Sequence, residues 1–129
     1  MRVMIMISYV VLVSCVFAQE NKQLAPKNNE VIVYYYGFKV DRITGLHESE
    51  IQKYGCLYFA DRNIITSSLT ISENAGEKYN RSNIRASMII DDSIYYIDYN
   101  GIARKDDVFF VIDKDKFVQS LKFISCTKE

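Results

Sequence analysis

His47 has the widest chemical range of any residue in this chain, because it is the only histidine and imidazole titrates near neutral pH. A mechanism that uses histidine as an acid, a base or a triad member therefore has to use His47. The sequence contains no Gly-x-Ser-x-Gly motif of the kind that presents a nucleophilic serine. We expect His47 to lie on a short helix without a catalytic role, and a small hydrolase that uses His47 is kept as an alternative.

Carboxylates occur in close pairs along the chain, and paired carboxylates can supply the acid and the base of a glycoside hydrolase. That chemistry needs two carboxyl groups held apart across a cleft, whereas neighbours in a turn point into water. The segment from Tyr96 to Asp107 resembles a calcium loop in its offsets, but its first ligand position falls on the tyrosine. We therefore predict no catalytic residue, no metal site and no cofactor. Such pairs occur at Glu48/Glu50, Asp91/Asp92 and Asp106/Asp107.

Tyrosine is the most distinctive residue type, since the chain contains 10 tyrosines and no tryptophan. In the segment IYYIDY, strand alternation places Tyr95 and Tyr99 on one face and Tyr96 on the other. One face has to meet the core, and a tyrosine-rich core is the competing interpretation. Exposed tyrosines favour protein interfaces, because they bring a large contact area at little cost in side-chain entropy. We predict an interaction surface of Tyr95, Tyr96 and Tyr99 with Arg104 and Lys105 as its charged rim.

Residues 1–18 have the layout of a secretory signal. Arg2 is followed by the apolar run VMIMISYVVLV, which is too short to span a membrane comfortably. Cleavage after Ala18 would start the chain at Gln19, whereas the segment Leu12–Cys15 resembles the lipobox of bacterial lipoproteins, whose cysteine receives lipid. We favour cleavage after Ala18. Lipidation of Cys15, with membrane anchoring, is the alternative.

Cys56 and Cys126 remain as an even pair under either cleavage, because Cys15 is then removed or acylated. Exported proteins work in oxidising compartments, where paired cysteines form disulfides. A Cys56–Cys126 bond would tie the end of the chain to its middle and stabilise the fold by on the order of 4 kcal/mol. Two cysteines and one histidine make a poor zinc site, since zinc usually takes four ligands.

The charge of the chain is balanced, with 16 basic and 16 acidic residues. A nucleic-acid-binding domain normally carries a basic footprint, so we expect no nucleic-acid partner. Aromatic residues make up 13% of the chain, which supports a sizeable core in one small domain. We expect a signal peptide at residues 1–18, a flexible lead-in at residues 19–29 and a single globular domain at residues 30–129.

Runs of β-branched and aromatic residues predict strands in the first half of the domain. They cover residues 30–40, 56–60 and 64–71, and the last two would join across a turn at residues 61–63. Between Gly45 and Gly55, the shared helical face of His47, Ile51 and Tyr54 predicts a short middle helix. The polar and aperiodic stretch 72–83 predicts a long loop.

The last third of the chain predicts hairpins. Residues 86–90 and 94–99 read as two strands around a turn at residues 91–93. Asn100-Gly101 predicts a type I′ turn, because both residue types tolerate positive φ. A further strand at residues 108–112 follows a second turn.

Asp113 is suited to cap a helix over residues 114–124, in which Phe117, Leu121 and Ile124 recur at helical spacing. The predicted fold class is α+β. It consists of an antiparallel β-meander of about five to six strands with a short middle helix, a C-terminal helix packed on the sheet, and one disulfide.

These patterns favour a small exported protein, periplasmic or secreted, that is not an enzyme and acts by binding another protein. An inhibitor or an immunity protein against a toxin would work in this way. The alternatives are a membrane-anchored envelope lipoprotein with a scaffolding role, held through Cys15, and the hydrolase that uses His47. The sequence sets no oligomeric state.

Overall fold

The computed structural model describes residues 25–40 and 45–126. Signal cleavage, the fate of Cys15 and most of the predicted lead-in lie outside these residues. The eight strands are β1 (Glu30–Tyr35), β2 (Cys56–Asp61), β3 (Leu69–Ile71), β4 (Ile84–Ile90), β5 (Ser93–Asp98), β6 (Ile102–Lys105), β7 (Val108–Ile112) and β8 (Leu121–Ser125). The helices are α1 (Ile51–Tyr54), α2 (Arg62–Ser67) and α3 (Lys114–Gln119), with a 3-10 helix at Glu73–Lys78. None of these helices is long and apolar enough to cross a membrane.

All strands of the described residues form one sheet in the order β3-β7-β6-β5-β4-β1-β2-β8, with every neighbouring pair antiparallel. Strands β4 to β7 form the predicted meander. The sheet contains eight strands rather than the predicted five to six, and β8 forms from residues that were predicted to be helical. The combination of a sheet, short helices and one disulfide is confirmed.

One side of the sheet, the helical face, carries α2 and α3. The connection from β2 to β3 and the connection from β7 to β8 both run across this side, which brings α2 and α3 into contact. Ile65 of α2 and Phe117 of α3 are fully buried against a core that includes Val33, Met88 and Ile97 of the central strands. Burying such large apolar side chains is the main stabilising contribution in a domain of this size.

The opposite side of the sheet, the loop face, is partly covered by residues 45–54 and the 3-10 helix. Leu46 and Ile51 pack on Ile84, with Tyr79 and Tyr96 at the margin of this second cluster. The predicted middle helix is present but is a single turn, since residues 48–50 form turns and α1 begins at Ile51.

The strand predicted over residues 64–71 is wrong in its first half. Asp61 ends β2 and accepts a hydrogen bond from the Ile64 backbone N–H at 3.1 Å, which caps α2. Only Ile65 of this helix has to be buried, so the β-branched residues around it do not force a strand. The short β3 that follows pairs with β7 at the far edge of the sheet.

The helix predicted over residues 114–124 is also wrong beyond its first half. Asp113 caps α3 as predicted, accepting from the Lys116 N–H at 3.1 Å, but α3 ends at Gln119. Residues 121–125 form β8, which pairs with β2. A strand advances about 3.3 Å per residue against about 1.5 Å for a helix, so the extended form reaches the far edge of the sheet.

The disulfide between Cys56 and Cys126 is present as predicted, with the two Cα atoms 4.4 Å apart. Cys56 begins β2 and Cys126 directly follows β8, so the bond closes one end of this strand pair. A disulfide is compatible with an oxidising, exported location.

The tight turn with positive φ lies at a different place from the one predicted. Asp91 and Asp92 have φ of 49° and 64°, as a type I′ turn between β4 and β5 requires. At the next turn only Gly101 is positive, at 82°, so Asn100-Gly101 does not form a type I′ turn. The Asp98 carboxylate fixes the conformation of that turn by accepting a hydrogen bond from the backbone N–H of Ile102.

Candidate functional site

The five predicted interaction residues are divided between the two faces of the sheet. Tyr95 lies opposite Met88 on the helical face, as alternation predicts, and Tyr96 lies opposite Arg104 on the loop face. Tyr99 follows the end of β5 and is 46% exposed. The structure therefore does not bring these residues together on one surface, and their role in binding stays a prediction.

Tyr95 and Lys105 are engaged on the helical face. The Tyr95 ring packs at the margin of the main core, with its centre 5.7 Å from that of Phe110. The Lys105 ammonium lies 5.8 Å from the centre of the Tyr95 ring. Because Tyr95 supports the core, its removal would destabilise the fold as well as any interface.

On the loop face, Tyr96 and Arg104 belong to a set that we call the Glu48 cluster, together with Glu48 and Tyr79. Arg104 donates to both carboxylate oxygens of Glu48, from Nη2 at 2.7 Å and from Nε at 2.8 Å. The Tyr79 hydroxyl donates to Glu48 Oε2 at 2.5 Å. The Arg104 guanidinium also lies over the Tyr96 ring, 5.5 Å from its centre. This geometry engages both oxygens of the carboxylate, since each of them has a strong donor.

The Glu48 cluster fixes the charge state of its members. Burial raises the pKa of Glu48, but the hydrogen bonds from Arg104 and Tyr79 outweigh that effect and hold the pKa below its ordinary value. Burial and the bond to Glu48 raise the pKa of Tyr79 far above its usual range. The hydrogen bonds that Arg104 donates to Glu48 likewise raise the pKa of Arg104. Glu48 is therefore an anion and Tyr79 a neutral phenol at neutral pH, which suits a structural clamp between residues 45–50 and β6.

Around Tyr99 lies a second set, the Tyr99 patch, formed by Tyr99, Phe38, Arg85 and Lys114. The Arg85 guanidinium is 5.1 Å and the Lys114 ammonium 5.3 Å from the centre of the Tyr99 ring. Lys114 also lies 5.0 Å from the centre of the Phe38 ring. Two cations therefore hold an exposed ring in position.

Arg85 is the anchor of the Tyr99 patch and is only 5% exposed. Its Nη1 donates to the Gly37 carbonyl at 3.0 Å and to the Val40 carbonyl, and its Nε donates to Asn83 Oδ1 at 3.2 Å. Sequence reasoning missed Arg85, Lys114 and Phe38. They are far apart in the chain, and no local pattern brings them to Tyr99.

Asp98 lies beneath the turn that carries Tyr99 and is fully buried. Its carboxylate accepts from the backbone N–H groups of Asn80 and Ile102, each at 2.9 Å. Burial raises the pKa of Asp98, and the backbone donors, including that of Asn100, oppose the rise. Asp98 thereby fastens the loop at residues 80–83 to the turn at residues 99–101.

His47 lies in an open cleft of about 320 Å³, which we call the Arg81 cleft. The His47 backbone N–H donates to Glu50 Oε1 at 2.9 Å, while its side chain is exposed. Among the described residues, no hydrogen bond joins its imidazole to a serine or a carboxylate. The cleft is lined by His47, Glu48, Ser49, Arg81 and Ser82.

Within residues 25–40 and 45–126, no group of three or more His, Cys, Asp or Glu side chains is placed to hold a metal ion. The absence of a metal site and of a cofactor stays a prediction for the chain as a whole.

Comparison with known proteins adds no relative. No family model, no curated protein and no solved structure matches the chain.

Proposed function

We propose that this protein is exported and binds another protein through the Tyr99 patch, in the manner of an inhibitor or an immunity protein. The observation that carries the proposal is a tyrosine, Tyr99, that is 46% exposed and whose ring is flanked by two cations. The Cys56–Cys126 disulfide supports the oxidising compartment that an exported protein occupies.

The patch has the composition of an interface hot spot. Tyrosine and arginine are enriched at such sites, and a pre-positioned ring loses little entropy on binding. Tyr99 is fixed from below as well as from the sides, because its backbone N–H donates to the Asn83 carbonyl at 2.9 Å. A partner would therefore meet a surface that is already ordered.

The charge of the patch indicates the kind of partner. The groups that accept hydrogen bonds from Arg85 are two backbone carbonyls and one side-chain amide. These groups are neutral, so none of them balances the positive charge of Arg85. Lys114 adds a second cation beside the same ring. An acidic surface would complement the Lys114 ammonium directly and the nearly buried Arg85 through its field, and it would also speed the encounter of the two proteins.

The experiment is recovery of the partner from the native envelope with a carboxy-terminally tagged copy, followed by affinity measurement on purified proteins. Tyr99→Ala should weaken binding about 30-fold, corresponding to roughly 2 kcal/mol for a hot spot. Phe123→Ala is the matched control, because Phe123 is an aromatic residue 61% exposed on β8 at the sheet edge. Unchanged affinity for Tyr99→Ala, with the fold intact, would refute the proposed surface.

The same preparation distinguishes a released protein from the alternative, an envelope lipoprotein anchored through Cys15. The intact mass of the unreduced protein gives a chain that starts at Gln19 or a lipidated Cys15. A lipid-modified mass, together with loss of membrane association for Cys15→Ser, would favour the envelope lipoprotein over the released protein.

A further inference from the structure

We infer that the Arg81 cleft is a binding site for a small organic acid with one carboxylate group, held by the Arg81 guanidinium. This inference rests on the cleft alone and is independent of the function proposed for the Tyr99 patch. A cleft of about 320 Å³ is at the lower end of the range for small-molecule sites.

The walls of the cleft are fixed against each other. A side chain at Gly45 would place its Cβ only 2.1 Å from the Ser82 carbonyl oxygen, so glycine is required for this approach. The Ile84 N–H donates to the Leu46 carbonyl at 2.7 Å, and Asp98 holds the backbone N–H of Asn80. The site is therefore formed before a ligand arrives, which lowers the entropic cost of binding.

The Glu48 carboxylate, which lies beside the cleft, is already hydrogen-bonded to other residues. Both oxygens of Glu48 accept from Arg104, and one also accepts from Tyr79. Arg81 influences Glu48 electrostatically, yet it makes no hydrogen bond or ion pair with any residue that the structure describes. Its guanidinium is thus available to an incoming anion.

The remaining polar groups suit a carboxylate. The Ser82 backbone N–H already donates to Asn80 Oδ1 at 3.0 Å. The hydroxyl groups of Ser49 and Ser82 also line the cleft and can donate to a ligand. A guanidinium pairs with the two oxygens of a carboxylate in a planar, bidentate geometry. Among the described residues that line the cleft, Arg81 is the arginine left for a ligand, because Arg104 is paired with Glu48. Arg81 can balance the one charge of a monocarboxylate, whereas the second charge of a phosphate would lie uncompensated near the Glu48 anion.

The test is an NMR titration of the full-length protein with acetate and, separately, with inorganic phosphate, with chloride used to keep the ionic strength constant. Acetate should shift the resonances of Arg81, Ser49 and Ser82 in a saturable way. Arg81→Gln should weaken acetate binding about tenfold or more. Lys116→Gln is the matched control, because it removes the same charge from the exposed surface of α3 and should leave the acetate affinity unchanged.

Three results would overturn the inference. Acetate shifts that never saturate, or that spread over lysines remote from the cleft, would show general ionic binding. An acetate affinity retained by Arg81→Gln would remove Arg81 from the site. Tighter binding of phosphate than of acetate would contradict the preference for one negative charge. A partner-binding defect of Tyr99→Ala is expected to leave all of these readings unchanged, so the two proposals fail separately.

Discussion

At the scale of single residues, Glu48 shows how hydrogen bonds from neighbouring side chains can give a carboxylate a structural role in place of an acid–base one. The sequence places it beside the only histidine, which suggests acid–base work. Arg104 and Tyr79 instead occupy its oxygens and turn it into a clamp between two parts of the loop face. The separation of Glu48 and Arg104 along the chain hides this pairing from local sequence patterns.

We expect Glu48→Gln to lower the free energy of unfolding at neutral pH by about 2 kcal/mol, because a charged hydrogen-bonded pair is broken. The pKa of Glu48 is lower in the folded chain than its ordinary value of 4.5. Its contribution is therefore complete above the unfolded pKa and is lost as the pH falls through the folded pKa. Urea denaturation from neutral pH down to about pH 3 should show the gap between wild type and variant shrinking below the unfolded pKa.

Glu77→Gln is the control for this pH series, since Glu77 is exposed in the 3-10 helix. Its unfolding free energy should stay within about 0.5 kcal/mol of wild type at neutral pH. A stability gap for Glu48→Gln that is constant over the whole pH range would contradict the role assigned to the carboxylate.

At the scale of elements, a helix cap and a strand pairing explain the two segments, α2 and β8, whose secondary structure the apolar periodicity predicted wrongly. The hairpin of β4 and β5 could be predicted, because its apolar alternation and its turn residues agree. The segments that became α2 and β8 could not, because their apolar spacing fits either a helix or a strand. The topology of the whole sheet sets the path of each segment. It takes α2 across the sheet and places β8 beside β2.

Asp61 tests the importance of the cap that ends β2 and begins α2. Asp61→Ala should lower the unfolding free energy by about 1 kcal/mol, since the Ile64 N–H loses its acceptor. Asp61→Asn should retain most of the stability, because asparagine is an equally good capping residue. Chemical denaturation of both variants gives the answer, and equal losses for the two would show that charge, rather than capping, matters at this position.

At the scale of the whole molecule, the cysteine pair was the most informative feature of the sequence. Counting cysteines predicted the Cys56–Cys126 bond without any knowledge of the strands that it joins. The candidate surfaces were less accessible to prediction. Tyr99 was found from composition, whereas Arg85 and Lys114 reach it only through the fold.

Replacing both Cys56 and Cys126 by serine should lower the unfolding free energy by about 4 kcal/mol, given a sequence separation of 70 residues between them. Backbone amides of β8 should lose hydrogen-exchange protection before those of β4 and β5, because β8 pairs on one side only, with β2. Chemically reduced wild type should behave like the double variant. Unchanged protection of β8 would mean that strand pairing alone holds this edge.

The position of β8 also sets the order in which the molecule can be completed during synthesis. Residues 121–126 are synthesised after β2, yet they cover the edge of that strand. Until they arrive, that edge is an open template for pairing with other chains. The Cys56–Cys126 bond also has to wait for these residues, so its formation locks an edge of β2 that is open to mispairing earlier in synthesis.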